Sequence, residues 1–468
     1  MPRLAHNIRH HTREADMSTI KRHSSNPYLS NNLAPVHEEV TVTNLRVTGH
    51  IPTELSGRYL RNGPNPAGSV DENTHHWFLG HGMVHGIRLD DGRAMWYRNR
   101  WVRTNDVCKV LGGTPPPSDW PKDHPTFSAN TNVIGHAGHT FAIVEGGGPP
   151  VELGYELDTV RVSNLHGTLP HSFSAHPKRD PKTGDLHVMA YYWAWGNQVQ
   201  YLVVGVDGRV RRHVDIPLPG GPMLHDLAIT EHYVLVFDLP CVFNLDAAMN
   251  GVSFPYFWNN DYEARIGLLP REGQATDIKW IPVDPCYIFH PMNAYEDGDE
   301  VVLDAVRHPK VFDRDRRGPN EGSPVLARWR LDGKRGTARS SIVNDRPQEF
   351  PRINEELTGR RYRFGYSSGI GTGFAQDTLM KTDVDNGFVQ SRVDQPRYGY
   401  GEPVFVPREG AKSEDDGYVI TLRHDTQSDT SDLAIFDAQA ITEDPVAVVH
   451  LPVRVPNGFH GNWIPDGN

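Results

Sequence analysis

The chain has 468 residues, 37% of them hydrophobic and 22% charged, and its 47 Lys and Arg against 58 Asp and Glu give a net charge of −11 at pH 7. These values are typical of a soluble globular protein and argue against a nucleic-acid backbone as a partner. Residues 1–26 contain no apolar run long enough for a secretory signal. No run of about 18 apolar residues is present to span a bilayer.

The cysteines indicate the cellular compartment, and the histidines are unusually numerous. Cys108, Cys241 and Cys286 are far apart and odd in number, which indicates a reducing compartment, by default the cytoplasm, without a disulfide framework or a thiolate metal site. Histidine is the outlier, with 25 residues. Several of these lie in the basic, polar segment 1–26, which we expect to be a disordered tail and in which Met17 could be an alternative start. We expect residues 27–468 to form one domain.

From Asn26 onward the pattern predicts β-strands almost throughout. Asp-Gly pairs separate short apolar or alternating runs, and this combination is a strong hairpin signal. Long helical periodicity is missing, while 44 glycines and 37 prolines interrupt the chain every few residues. The hairpin pairs, in chain order, are Asp91-Gly92, Asp207-Gly208, Asp297-Gly298, Asp332-Gly333 and Asp416-Gly417.

So many short strands over more than 400 residues, with no low-complexity linker, favour one closed all-β domain. A single sandwich would be overfilled, whereas a β-propeller of six to eight blades would use this length and leave few exposed sheet edges. No clean repeat sets the blade number. Three long loops, 105–130, 241–275 and 308–324, are rich in Pro, Gly and aromatic residues, and we expect them on one face, covering a site.

Four histidines share similar surroundings, because each lies at or near the predicted start of a strand: His176, His225, His290 and His460. In a propeller the innermost strands begin near the axis, so such positions can converge there on a metal ion. A single histidine in an apolar setting is more often a hydrogen-bonded core residue, and no local zinc signature such as His-Glu-x-x-His is present. His460 stands out, since it lies between two glycines near a terminus that would ordinarily fray.

Three glutamates occupy settings unusual for a charged residue. Glu145 ends an apolar run, Glu349 precedes Phe350-Pro351, and Glu402 lies between Gly401 and Pro403. A buried carboxylate needs a partner, and the outward N–H of a metal-bound imidazole is one such partner. For any one of them, capping of a local turn is the simpler alternative.

Taken in order, these segments resemble the carotenoid cleavage oxygenase family, which also includes stilbene-cleaving enzymes and a retinoid isomerase branch. The resemblance runs from Asn26 to Trp463. Besides the histidine and glutamate segments, it rests on four stretches of sequence: Gly57-Arg58-Tyr59-Leu60-Arg61-Asn62-Gly63-Pro64-Asn65-Pro66, His76-Trp77-Phe78 leading to Gly82-Met83-Val84-His85-Gly86, Asn130-Thr131-Asn132-Val133, and Phe289-His290-Pro291-Met292-Asn293-Ala294-Tyr295-Glu296.

The resemblance implies a seven-bladed β-propeller with one non-haem Fe(II) on its axis, covered by loops and short helices on one face. His176, His225, His290 and His460 would be the ligands, with Glu145, Glu349 and Glu402 hydrogen-bonded to three of them and Thr131 near an open metal position. The implied reaction inserts both atoms of O2 across a conjugated C=C bond and releases two carbonyl products. No other cofactor is expected, since no dinucleotide-binding fingerprint occurs.

Two departures bear on the substrate. His81 replaces an Asp that is common in the Gly-x-Gly-Met motif, and we interpret it as a loop change and not as a fifth ligand. Trp101 follows Asn99-Arg100 where the stilbene branch has a phenol-binding Tyr, which favours a carotenoid or apocarotenoid over a hydroxystilbene.

Residues 241–259 predict no apolar helical patch, so membrane contact should be weak and peripheral. A stilbene-cleaving dioxygenase of the lignostilbene type is the first alternative, and an O2-independent isomerase and a non-catalytic ligand-binding propeller are further ones.

Overall fold

The computed structural model describes residues 24–121, 124–125, 127–319, 321–371, 376–394 and 396–467. The tail predicted over 1–26, including Met17, therefore lies mostly outside the described residues. Its last residue, Asn26, is buried, and its side-chain amide donates to the carbonyl oxygens of Glu72 and His75, each at 2.9 Å. The folded part of the chain thus begins before the predicted boundary.

Seven antiparallel sheets form the blades of a propeller, so the predicted architecture is confirmed. Blades 1 to 5 each consist of four strands in chain order from the axis outward. Their bounds are Asn132–His136, His139–Ile143, Val151–Leu153 and Thr159–Val162 in blade 1; Lys178–Arg179, Leu186–Tyr191, Gln198–Val204 and Val210–Pro217 in blade 2; Ala228–Ile229, Tyr233–Asp238, Arg265–Pro270 and Lys279–Pro282 in blade 3; Tyr287–Asp297, Glu300–His308, Val325–Asp332 and Thr337–Asn344 in blade 4; and Gln348–Ile353, Phe364–Ile370, Gln376–Asp383 and Phe388–Val393 in blade 5.

Blades 6 and 7 join the two ends of the chain. In both blades, early strands pair with late ones, which closes the ring by hydrogen bonds between segments about 400 residues apart in sequence. Blade 6 contains Tyr398–Tyr400 and Val404–Pro407, both on Gly417–Asp425, then Thr430–Asp437, Ala447–His450 and Arg46–Gly49; blade 7 contains Gly461–Pro465, Gly57–Pro64, Gly82–Asp90, Arg93–Trp101 and Thr41–Thr43.

Short elements complete the described part of the chain. The hairpin Cys241–Phe243 and Tyr256–Trp258 is inserted into blade 3 and encloses one of the two α-helices. No helix of the described ranges is long and apolar enough to cross a membrane. The α-helices are Asn105–Leu111 and Leu245–Met249, and the 3-10 helices are Pro27–Leu29, Asn31–Leu33, Trp77–Leu79, Trp193–Trp195, Ala275–Asp277 and Glu355–Leu357.

Apolar side chains pack between neighbouring blades and hold them in place around the axis. The largest cluster joins blades 2, 3 and 4, with Tyr201, Leu235 and Trp329 among its buried members. A second cluster joins blades 6 and 7 through Ile87 and Ile420. The inner strands are therefore held at set distances from the axis, where the candidate site lies.

Candidate metal centre

Each of the seven blades contributes at least one of the predicted site residues. His176, His225 and His460 directly precede or lie within three residues of the innermost strands of blades 2, 3 and 7, while His290 lies inside the innermost strand of blade 4 at an irregular step in its register. Blade 1 supplies Thr131 and Glu145, blade 5 supplies Glu349 and blade 6 supplies Glu402.

The four histidines form one buried cluster on the axis. One ring nitrogen from each lies within 4.8 Å of the others, as a shared metal ion requires. The Nε2 atoms of His225 and His290 are 3.2 Å apart, and the ring centroids of His176 and His460 are 4.4 Å apart. Residues separated by 284 positions in sequence are thus brought together by the ring of blades.

Three of the imidazoles are held from behind by the three predicted glutamates. The Nδ1 atoms of His225, His290 and His460 lie 2.8 Å from Glu145, 2.6 Å from Glu349 and 3.0 Å from Glu402, respectively. These contacts place the proton on Nδ1 and leave the lone pair of Nε2 directed at the centre of the cluster. His176 differs, since its Nδ1 lies 3.8 Å from the Asp226 carboxylate, beyond hydrogen-bond distance.

The electrostatics differ among the imidazoles, while Glu349 and Glu402 are held ionised. Burial lowers the pKa of His225, but its contact with Glu145 outweighs this and raises the pKa above its ordinary value. Burial lowers the pKa of His176 well below its ordinary value and that of His290 to about 3. Burial raises the pKa of Glu402, but Arg352 and His460 outweigh this and bring the pKa to about 2. The pKa of Glu349 also lies well below its usual range, because its histidine partners outweigh the effect of burial.

The cluster fits a bound cation. The Nε2 atoms of His225 and His290 face each other, and Nε2 of His176 is buried without a hydrogen-bond partner among the described residues. Their 3.2 Å separation is near the roughly 3 Å between two nitrogens at right angles on an ion with bonds of about 2.1 Å. Four neutral imidazoles suit a divalent transition metal such as Fe(II).

Each glutamate has a further partner that the sequence did not indicate. The Tyr191 hydroxyl donates to Glu145 at 3.0 Å, and the His308 Nε2 lies 2.6 Å from Glu349. Arg352 forms an ion pair with Glu402 at 3.2 Å. No local pattern marks these three residues, because each contact joins elements that are far apart or on different strands.

Asp226 is the other site residue that sequence reasoning missed. It directly follows His225, is fully buried, and its carboxylate accepts from the Lys178 ammonium at 2.8 Å. The Asp226 carboxylate, which is paired with Lys178, lies 3.8 Å from Nδ1 of His176. It occupies the place that a glutamate has beside each of the other three histidines. The signal available in the sequence was the His225-Asp226 pair itself.

Two cavities meet at the histidine cluster. An apolar cavity of about 380 Å³ reaches Glu145, His225, His290 and His460, and Thr131 lines it. A polar cavity of about 670 Å³ along the axis reaches the other side of His176, His290 and His460. The aromatic wall of the apolar cavity comprises Trp77, Phe78, Phe254, Phe289, Phe350 and Phe459, and parts of all three long loops also contribute to it.

Thr131 lines the apolar cavity next to the segment that carries His460. Its carbonyl oxygen accepts from the His460 backbone N–H at 3.1 Å, and its hydroxyl donates to Asn130 at 3.0 Å. It is thereby fixed to the segment that carries the last histidine. His81 is not part of the cluster, since its Nδ1 accepts from the Ala67 backbone N–H at 3.1 Å.

Two of the sequence-based arguments need correction, one about the substrate and one about membrane contact. Trp101 lines neither cavity; it packs with Met83 and Val107, and its indole N–H donates to the Asn65 carbonyl at 3.1 Å. Its identity therefore says nothing about stilbene binding. The inference failed because strand alternation turns this side chain into blade 7 and away from the site.

The expectation of no apolar helical patch near the cavity is also wrong. The helix Leu245–Met249 lines the apolar cavity through Ala248. Its Leu245 and Met249 side chains are 58% and 76% exposed, and Trp193, which also lines the cavity, is 49% exposed. The helix was missed because five residues are too few for a periodic pattern.

The fold and the cluster together define a seven-bladed propeller with a candidate metal centre on its axis, between one apolar and one polar cavity. Residues 33–465 match the retinal pigment epithelial membrane protein family, and this chain belongs to that family, which includes the carotenoid cleavage oxygenases.

Named relatives span nearly the whole chain. A carotenoid cleavage oxygenase of Mycobacterium tuberculosis is 46% identical, covering 94% of this chain and 98% of that protein. A carotenoid 9,10(9',10')-cleavage dioxygenase of Crocus sativus is 34% identical, covering 93% and 89%.

Solved structures agree with the fold. The lignostilbene dioxygenase of Pseudomonas brassicacearum superposes with a TM-score of 0.86 at 25% identity, covering 94% of this chain and 99% of that one. The cobalt-substituted Synechocystis apocarotenoid oxygenase gives a TM-score of 0.83 at 27% identity, covering 92% and 97%.

Proposed function

We propose that this chain is a non-haem Fe(II) dioxygenase that cleaves a conjugated C=C bond of a carotenoid or apocarotenoid to two carbonyl products. The observation that carries the proposal is the position of the histidine cluster at the inner end of an aromatic cavity. Two carotenoid-cleaving relatives, at 46% and 34% identity, support the substrate class over a stilbene. Residues 27–468 would be its single catalytic domain.

His176, His225, His290 and His460 would hold the iron, which supplies O2 activation when bound. Glu145, Glu349 and Glu402 each accept a hydrogen bond from Nδ1–H of one imidazole, which holds the ring in orientation and keeps its Nε2 available. The carboxylates also oppose the charge of the ion in a buried site. Thr131 would shape the neighbouring open position, because it lines the apolar cavity beside the His460 segment.

The aromatic cavity would bind and orient the substrate. Its walls exclude water and bury an extended apolar polyene along aromatic faces. The overall reaction breaks one C=C bond and forms two C=O bonds with both atoms of O2, so the substrate supplies the electrons and no external reductant is needed. Which C=C bond is cleaved then depends on how far the polyene can enter the cavity.

We also infer the cellular compartment of the enzyme and its contact with membranes. Cys108, Cys241 and Cys286 are buried and unpaired, which supports a reducing, cytoplasmic location. Exposed Leu245 and Met249 support a weak, peripheral contact with a membrane in which apolar substrates dissolve. The net charge of −11 disfavours nucleic acid.

The test is to incubate the Fe(II)-loaded protein with carotenoids, apocarotenals and stilbenes under 18O2 and to identify the aldehydes by mass. We expect cleavage of a carotenoid or apocarotenal, one 18O atom in each product, and O2 uptake equal to turnover. His290→Ala should abolish both cleavage and iron binding. Cleavage of stilbenes alone would overturn the substrate class, isomerisation without O2 uptake would overturn the dioxygenase, and a metal-free, inactive protein would mean a ligand-binding propeller.

A further inference from the structure

Glu349 lies between two imidazoles that both come from blade 4. Its Oε2 is 2.6 Å from Nδ1 of His290, and its Oε1 is 2.6 Å from Nε2 of His308. His308 is the last residue of the strand Glu300–His308, which pairs with the strand that carries His290. Glu349 and His308 are each only 1% exposed, so the contact between them is shielded from bulk solvent.

The backbone next to Glu349 is in an unfavourable conformation. Phe350 has a φ of 56°, which bulky L-residues rarely adopt. Its N–H donates to Oε2 of Glu349 at 2.7 Å, and its ring stacks on His290 at a centroid distance of 5.4 Å. Such a conformation persists only where the surrounding contacts determine it. Among the described residues, His308 provides the only hydrogen bond to Oε1 of Glu349.

We propose that His308 is a positioning residue, which acts through Glu349 to orient His290 for metal binding. The proposal rests on the assignment of His290 as a ligand made above. Without the His308 donor, Oε1 would be a buried carboxylate oxygen with no partner. Glu349 would then rotate or take up a proton, and His290 would lose the acceptor that fixes its Nδ1 proton.

The other two glutamates show what is particular to this position. Glu145 accepts a hydrogen bond from the hydroxyl of Tyr191, which itself lines the apolar cavity. Glu402 pairs with Arg352, which lines the polar one. His308 lines neither cavity. A change at His308 therefore replaces no residue that lines a cavity, and its effect on the metal passes through Glu349.

The experiment measures Fe(II) affinity by chelator competition for His308→Leu and His308→Gln, without any substrate. We expect His308→Leu to weaken the affinity about 10- to 100-fold and His308→Gln to weaken it less, since an amide can still donate. The visible bands of the Co(II)-loaded protein should shift in His308→Leu, because the orientation of a ligand changes. If His308→Leu does not fold, the Fe(II) affinity and the Co(II) spectrum of His308→Gln provide the test.

His187→Leu is the matched control. His187 is equally buried, on the second strand of blade 2, and its Nδ1 lies 2.6 Å from the Tyr201 hydroxyl, with no contact to any site residue. It should lower the melting temperature but leave iron affinity and the Co(II) spectrum unchanged. Wild-type affinity in His308→Leu, or an equal loss in His187→Leu, would overturn the proposal. Because no turnover is measured, failure of the cleavage assay would leave this test unaffected.

Discussion

Removal of residues 461–468 would delete the strand that closes the propeller but would leave His460, the last imidazole of the cluster, in the chain. The strand Gly461–Pro465 pairs with Gly57–Arg61 along its whole length. Ile464 is 8% exposed within the apolar cluster that contains Leu60. The truncation therefore removes both a ladder of hydrogen bonds and an apolar contact between blades 7 and 1.

The expected loss of stability is large. Loss of a buried Ile side chain costs about 2–5 kcal/mol, and each lost hydrogen bond about 1 kcal/mol. The side-chain amide of Asn462 donates to Asn132 and Val133, and the Gly461 N–H donates to Glu402. A total of at least about 5 kcal/mol is a large share of the roughly 5–15 kcal/mol that holds a protein folded.

His460→Ala provides the comparison, because it keeps the strand and removes only the imidazole. Glu402 would retain Arg352 and the Gly461 N–H as partners, so we expect a loss of only about 1–2 kcal/mol. Elemental analysis should find no iron in His460→Ala, while urea unfolding of the metal-free proteins should show the truncation to be much less stable than His460→Ala. An undiminished unfolding midpoint in the truncated chain, or full iron content in His460→Ala, would refute this reasoning.

Two further predictions concern pH and the cavity. Metal-free protein should lose stability from pH 7 to pH 5, because His176 and His290 stay neutral when folded and bind protons below about pH 6.5 when unfolded. Well below pH 6.5 the loss approaches about 1.4 kcal/mol per pH unit for each, and the raised pKa of His225 offsets part of the sum. Urea unfolding of wild type and His290→Gln measures the contribution of His290, and equal slopes would contradict it. Ala248→Trp should obstruct the apolar cavity and raise the KM at least about tenfold with unchanged iron content; unaltered kinetics would place the substrate elsewhere.

Much of the candidate site could be predicted because its residues lie in recognisable local segments. His460 and Glu402 each have flanking glycines or prolines, and their order along the chain matches a family pattern. His308 and Arg352 have no such signal, since each contacts a glutamate that lies 41 or 50 positions away. Such partners depend on the packing of one blade against the next, which no local pattern encodes.

The sequence by itself determined the all-β class, since Asp-Gly turns and apolar alternation act over a few residues. Through the resemblance it also indicated which histidines and glutamates meet. Only the tertiary structure decided that Trp101 points away from the cavity and that Leu245–Met249 forms a helix beside it. It alone placed His308 behind Glu349. Side-chain direction and contacts between blades depend on register and packing, which involve residues far apart in the chain.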